Sequence, residues 1–326
     1  DEEEPEHTGG DDDTLTIYPN WPKIRNGYNE RGGIYCNLDQ DPELEIVYTV
    51  GNQVHAINLD GNPVPGWPVT LLLVPDGAPS FGDVDGDGFG EIVVTTHDLG
   101  SFSEGWVYAL EINGTNVSGF PVETDGGAVK TPVLADLDGD GADEIIIAVR
   151  NWPDGFVHVY DGNGDPFGDW PERMNSVPAT TVAVGDINGD DIPEIIGQSY
   201  TSVHAWSTTG SIVPGFPYTP GNSRVFSHSS PVLADLDGDG IREILIGDHN
   251  SSSGDGQLHV MKNDGTEMQG WPKTADFWIY SPPSVGDVDG DGDLDVVVAD
   301  YFHEITSPVN KLYAWDAQSG DMLPGF

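Results

Sequence analysis

Cysteine is almost missing from this chain: Cys36 is the only one in 326 residues, so no intramolecular disulfide can brace the fold. Cations are nearly as scarce. Eleven lysines and arginines face 56 aspartates and glutamates, a formal charge of -45, which repels nucleic acid and anionic membrane surfaces over most of the molecule. No apolar run approaches the roughly 18 residues of a membrane span, so direct membrane insertion is not expected. The opening DEEEPEHTGGDDD has no signal-peptide character; residues 1–13 read as a trimmed, acidic, disordered segment. Catalytic signatures are missing too: there is no nucleophile elbow, HExxH pair, glycine-rich phosphate loop or Cys/His pairing. Helices have little room, because 43 glycines and 25 prolines punctuate the chain. What remains is an all-β expectation.

The acidic residues are not scattered. GDVDGDGFGEIVV from Gly82 recurs as ADLDGDGADEIII from Ala135, GDINGDDIPEII from Gly185, ADLDGDGIREILI from Ala234 and GDVDGDGDLDVVV from Gly286, with a looser copy, CNLDQDPELEIVY, from Cys36. Successive copies are offset by 46, 53, 50, 49 and 52 residues, a spacing that suits one four-stranded unit. Each unit runs from a short apolar stretch through the acidic loop to a β-branched run. An alternating stretch follows, such as FVHVYDGNG or SVHAWSTTG, and then an aromatic–proline corner such as PGWP. Units begin near 31, 79, 131, 179, 230 and 282, and four strands, A to D, are expected in each. Sheets of this kind cannot bury both faces alone, whereas radial packing covers each with the next. The expectation is therefore one β-propeller domain over 14–326, with six visible repeats. YPNWPKIR at Tyr18 resembles a D strand, and seven blades stay possible.

Side-chain oxygens fall at positions 1, 3, 5 and 9 of each loop, with a carbonyl expected from position 7. The sets are Asp83, Asp85, Asp87, Phe89 and Glu91; Asp136, Asp138, Asp140, Ala142 and Glu144; Asp186, Asn188, Asp190, Ile192 and Glu194. Two more are Asp235, Asp237, Asp239, Ile241 and Glu243, and Asp287, Asp289, Asp291, Asp293 and Asp295. The first unit offers Asn37, Asp39, Asp41, Glu43 and Glu45, but Gln40 and Pro42 replace its glycines. Alternate spacing in a curled loop turns several carboxylates toward one point, where their mutual repulsion calls for a hard cation. Calcium, about five to six ions, tolerates such mixed carboxylate and carbonyl ligands better than magnesium. An EF-hand would need a bidentate Glu at position 12 between helices, where Val94, Ile147, Gly197, Ile246 and Val298 stand.

These phrases, GAPSFGDVDGDGFGEIVV above all, resemble the FG-GAP or VCBS-type repeats of integrin α-subunit propellers and many secreted microbial proteins. The resemblance implies calcium in the hairpin loop between strands A and B, on the face opposite the one that binds ligands. It also implies a secreted or cell-surface protein.

Ligand chemistry would then sit on the B-to-C loops and D-to-A connections, which vary most between units. The D-to-A candidates are Lys130, Arg173, Arg224, Phe226, His228, Phe277, Trp278 and Tyr280; the B-to-C candidates are His97, Trp152, Tyr200, His249, Tyr301, Phe302 and His303. Aromatics beside polar groups can stack on sugars or anchor a protein partner. The expected function is a binding or adhesion module for a glycan or an extracellular protein. Two alternatives stand beside it: a calcium-dependent carbohydrate-active lyase or hydrolase, and a structural segment of a longer surface protein with further domains. His55, His158, His204 and His259 recur at one C-strand position and read as blade packing, as do the aromatic–proline corners.

Overall fold

The computed structural model describes residues 32–39, 41–221, 223–226, 228–301 and 310–326. The acidic segment 1–13, the Tyr18 segment and the candidates Phe302 and His303 lie outside the described residues. Among those described there is no helix, and the strands pair antiparallel into six sheets in chain order.

The first sheet holds Gly33–Cys36, Glu45–Val50, Gln53–Ile57 and Val69–Thr70; the third holds Gly127–Ala135, Glu144–Asn151, Asp154–Tyr160 and Glu172–Met174. The fifth has the same four-strand plan, with Val232–Ala234, Glu243–Gly247, Gly256–Met261 and Lys273–Ala275. In the second, Ser80–Gly82 and the short Val74–Pro75 both pair with Glu91–His97, which Gly105–Leu110 and Val122–Thr124 follow. The fourth has Ala183–Gly185, Glu194–Gln198 and Val203–Trp206, with a bridge from Val203 to Tyr218 in place of a D strand. The sixth has Ser284–Gly286, Asp295–Ala299 and Leu312–Asp316.

The B strands explain the packing. Each is a β-branched run buried on both faces, and alternate side chains point to opposite neighbours. Ile145, Ile147 and Val149 pack back on Val93 and Val107 of the second sheet. Ile146 and Ala148 pack forward with Ile195 and Trp206 of the fourth. The same exchange joins the first sheet to the second, the fourth to the fifth and the fifth to the sixth. Each such side chain contributes about 1.5–3 kcal/mol on full burial.

A second junction lies at the aromatic–proline corners. Trp67 Nε1 donates to the Ile112 carbonyl at 2.7 Å, Trp170 Nε1 to Thr208 at 2.8 Å and Trp271 Nε1 to Ala317 at 3.1 Å, each on the following sheet. The glycine before the aromatic lies against the next C-to-D turn: a Cβ on Gly66 would fall 1.9 Å from the Asn113 carbonyl oxygen, and one on Gly119 or Gly215 would fall 1.8 Å from that of Asn163 or Asp264.

The acidic loops link strand A to strand B, and the B-to-C loops leave the other end of strand B. B strands of five to eight residues separate the two by about 17–26 Å at 3.3 Å per residue. The D-to-A connections run along the far ends of the B strands, as the bridges Pro178–Ser199, Val225–His249 and Trp278–Tyr301 show.

Candidate metal centres and the opposite face

Each acidic loop is drawn closed by its own backbone N–H groups. In the second sheet the position-1 carboxylate of Asp83 accepts from Gly86 and Gly88, both at 2.9 Å, and Asp87 accepts from Phe89 at 2.8 Å. Glu91, at position 9, accepts from Val84 at 2.8 Å. The bond from position 2 to position 9 recurs in all six loops, ending on Glu45, Glu144, Glu194, Glu243 and Asp295. Glycines at positions 4 and 6 adopt positive φ, such as Gly86 at 73° and Gly88 at 89°, which a residue with a Cβ adopts only with strain.

Five loops bring three carboxylates together, with ligand oxygens within 4.8 Å of one another: Asp39, Asp41 and Glu45; Asp83, Asp85 and Glu91; Asp136, Asp138 and Glu144; Asp235, Asp237 and Asp239; and Asp287, Asp289 and Asp291. Burial, with neighbouring aspartates adding to it, pushes Glu91 and Glu144 up to about 7 against the pull of their N–H donors. Glu45, Glu194 and Glu243 are raised for the same first reason. Asp237 Oδ1 is buried with no hydrogen-bond partner among the described residues, while Lys262 Nζ reaches its Oδ2 at 3.2 Å. Oxygen-only donors, a costly buried carboxylate and an orphaned oxygen fit a hard cation.

Two loops depart from this pattern. In the first, Asn37 turns its amide to donate to the Asp41 carbonyl at 2.7 Å, and Pro42 has no N–H to offer; Asp39, Asp41 and Glu45 still converge. In the loop from Asp186, Asn188 accepts from Asp190 at 3.0 Å and donates to Glu194 Oε1 at 2.6 Å. The amide thereby lies against the buried carboxylate. Asp191 takes the position-6 glycine's place at φ 64°.

The face opposite the loops differs in charge and in composition. Lys130 pairs with Asp76 at 3.2 Å, Arg173 with Asp154 at 2.5 Å, Lys311 with Asp276, and Arg224 with both Asp248 at 2.8 Å and Asp255 at 2.5 Å. Arg150 lies over the Phe102 ring at 4.6 Å. Five of the eight described basic residues therefore serve this end of the molecule. Lys130 adopts φ 68°, with its carbonyl accepting from Thr95 Oγ1 at 2.7 Å.

Aromatic rings form a connected set here. His249 meets Tyr200 at 6.1 Å, Trp278 at 4.7 Å and Tyr280 at 5.5 Å between centroids; Tyr280 meets His228 at 4.6 Å and stacks on Tyr301 at 5.3 Å. Burial lowers the pKa of both imidazoles. Lys130 lowers His228 further, and His228 in turn lowers His249. Trp152 projects alone at 74% exposure.

Three sequence candidates are corrected. Phe226 is fully buried in the core between the fourth and fifth sheets, and Arg224, its side chain 9% exposed, is locked between two aspartates. Both are packing residues. Arg173 lies within the D strand Glu172–Met174, not in the connection after it.

Sequence reasoning missed the group beside Arg224. His259 Nε2 bonds Asp248 at 2.9 Å, its Nδ1 bonds Glu267 at 2.6 Å, and Tyr218 donates to Glu267 at 2.7 Å. Aligning the B strands could have exposed it, since Asp248 and Asp300 stand where Thr96, Val149 and Ser199 stand in other units.

Consecutive radial-type sheets with a carboxylate loop at one end define a β-propeller of acidic-loop repeats. The FG-GAP-like repeat model matches residues 83–147, 136–197 and 235–298, more than half of the chain, and the chain belongs to that family. Among solved structures it is similar to the Dos1 propeller, at 12% identity and TM-score 0.54, covering 90% of this chain and 71% of that one. It is also similar to BBS1N crystallised in complex with ARL6DN, at 13% identity and TM-score 0.51, covering 91% and 83%. At such identities the likeness shows the β-propeller fold alone. No curated protein gives a match.

Proposed function

We propose that this chain is a calcium-stabilised β-propeller that serves as a binding module outside the cell or on its surface, as one part of a longer protein or alone. The observation that carries the metal reading is the convergence of three carboxylates in each of five loops. Asp85, Asp138, Asp237 and Asp289 would hold the ion together with the position-1 aspartate and position 9 or position 5, and Asp39 with Asp41 and Glu45. Bound calcium would supply the positive charge that these carboxylates otherwise lack. Asn188 would take the corresponding place in the loop from Asp186. Calcium rather than magnesium suits the number of oxygens and the irregular curl.

Cross-linking of nine-residue loops by an ion would also supply the bracing that a chain with one cysteine cannot obtain from disulfides. A setting outside the cell, where calcium is abundant, agrees with that division of labour. Ligand binding falls to the opposite face, where paired charges and rings replace the acidic loops.

The decisive experiment is thermal unfolding in chelator and in calcium. Metal that binds only the folded state stabilises it by mass action, so the melting temperature should drop on chelation, return with calcium and return less with magnesium. Identical melting curves in chelator and in millimolar calcium would overturn the metal reading.

A further inference from the structure

We propose that the ring cluster of Tyr200, His228, His249, Trp278, Tyr280 and Tyr301 is a binding surface for a neutral hexopyranose polysaccharide. The proposal rests on the binding-module reading and names its ligand class. The rings come from the fourth, fifth and sixth sheets and their connections, so the surface runs across consecutive blades and offers a track. Tyr200 and Tyr301 are 40% and 45% exposed, His228 is exposed, and Trp278 and Tyr280 are half-buried over the buried His249. Rings held by one another and by a buried keystone lose little freedom on binding, which lowers the ordering cost.

The chemistry of the six residues selects the ligand. Every one carries an N–H or O–H at the ring edge, and none is aliphatic or a phenylalanine. A hot spot for a protein partner draws on large apolar anchors in desolvated pockets. Ring faces with polar rims instead match a ligand that is apolar on its C–H face and hydroxylated at its edge, as a pyranose is; the negative face of each aromatic ring attracts those C–H groups.

Charge selects again. The acidic loops carry 26 of the 56 acidic residues at the far end, while beside the rings Lys130 is spent on Asp76, and Arg224 on Asp248 and Asp255. Both imidazoles are held toward the neutral form. Of the five described basic residues of this face, four are paired with aspartates and Arg150 lies over the Phe102 ring, and the net charge of -45 repels a carboxylated or sulfated chain from a distance. A neutral glycan meets neither penalty.

Affinity electrophoresis of the full chain in calcium, through gels holding β-glucan, mannan, galactan, alginate or polygalacturonate, tests the proposal. Retardation is expected in at least one neutral polymer and in neither acidic one. Tyr280→Ala and Tyr200→Ala should each weaken it about tenfold, in line with loss of a stacking contact, whereas Tyr280→Phe, which keeps the ring face and loses the O–H, should weaken it by less, about threefold, and Trp152→Ala, outside the ring cluster, should leave it unchanged. Melting curves in calcium identify any variant that fails to fold, and the exposed Tyr200 then carries the comparison. Retardation only in alginate or polygalacturonate, retardation untouched by the ring substitutions, or none in any neutral polymer each overturns the proposal. In the last case, capture of a protein partner lost in Tyr280→Ala would leave the binding-module reading standing with a different ligand.

Discussion

Glu91 shows what the crowding of carboxylates in an acidic loop costs. Its carboxylate is buried, bonded to one N–H and flanked by Asp85 and Asp87, so its charge is a cost without a cation and an asset with one. Glu91→Gln should therefore change sign with the medium. In chelator the variant should melt a few degrees above the parent, and in calcium a few degrees below it; a shift of the same sign in both would contradict a metal at this position. His259 is the opposite case, a group whose compensation is complete. Both ring nitrogens lie within hydrogen-bond distance of carboxylate oxygens, an arrangement that favours the doubly protonated ring. Burial alone would lower its pKa, but the bonds to Asp248 and Glu267 outweigh burial and raise it. Its contribution to stability is fully present below the unfolded value of about 6.5 and is lost as pH rises through the raised folded value. The destabilisation caused by His259→Gln should accordingly be larger at pH 6 than at pH 9, read from denaturant midpoints. The convergence of carboxylates in the loops was legible in the sequence because all of them lie within nine residues. The group of Asp248, His259 and Glu267 was not, because hydrogen bonds across separate strands of the fifth sheet assemble it, with Tyr218 of the fourth joining at Glu267.

At the scale of the element, the corner between one blade and the next concentrates the most demanding contacts. Recurrence alone marks Trp67, Trp170 and Trp271 as packing residues, but it does not reveal why glycine precedes the aromatic at Trp67, Phe120 and Phe216, since the reason lies in the next blade's turn. Gly66→Ala would combine a φ of 98° with a Cβ 1.9 Å from a carbonyl oxygen; a loss of about 3 kcal/mol or more is expected from backbone displacement plus strain. Gly254→Ala, with φ 83° and open space around it, should cost only about 1 kcal/mol. Equal losses in chemical denaturation would show that the corner is not the tight junction described. Trp67→Phe keeps the ring and removes the donor to Ile112, so a loss of about 1 kcal/mol is expected.

Over the whole molecule, charge is divided between two ends. One end gathers the acidic loops, and Glu111 of a neighbouring turn is itself raised by burial and by Asp85 and Asp87; the other end pairs its aspartates with four of the eight described cations. Repulsion at the first end should yield to screening. In chelator the melting temperature should rise between 20 mM and 500 mM sodium chloride, and in calcium that rise should shrink; an identical salt response in both media would argue against local crowding of charge. Composition revealed the excess of acid, but not its polarity. Pairs such as Arg224 with Asp248 lie 24 residues apart, and Phe226, which reads as a surface aromatic, is drawn into the core by the sheet that follows it. The corner junctions carry one last consequence. What Trp67, Trp170 and Trp271 bind on the following blade is a main-chain carbonyl in every case, and Gly66, Gly119 and Gly215 abut carbonyls as well. A junction read by backbone does not inspect the neighbour's side chains. These corner joints can thus accept blades whose turns differ in sequence, and each blade's outer loops are free to diversify, while the side chains exchanged between B strands still set which blades fit together.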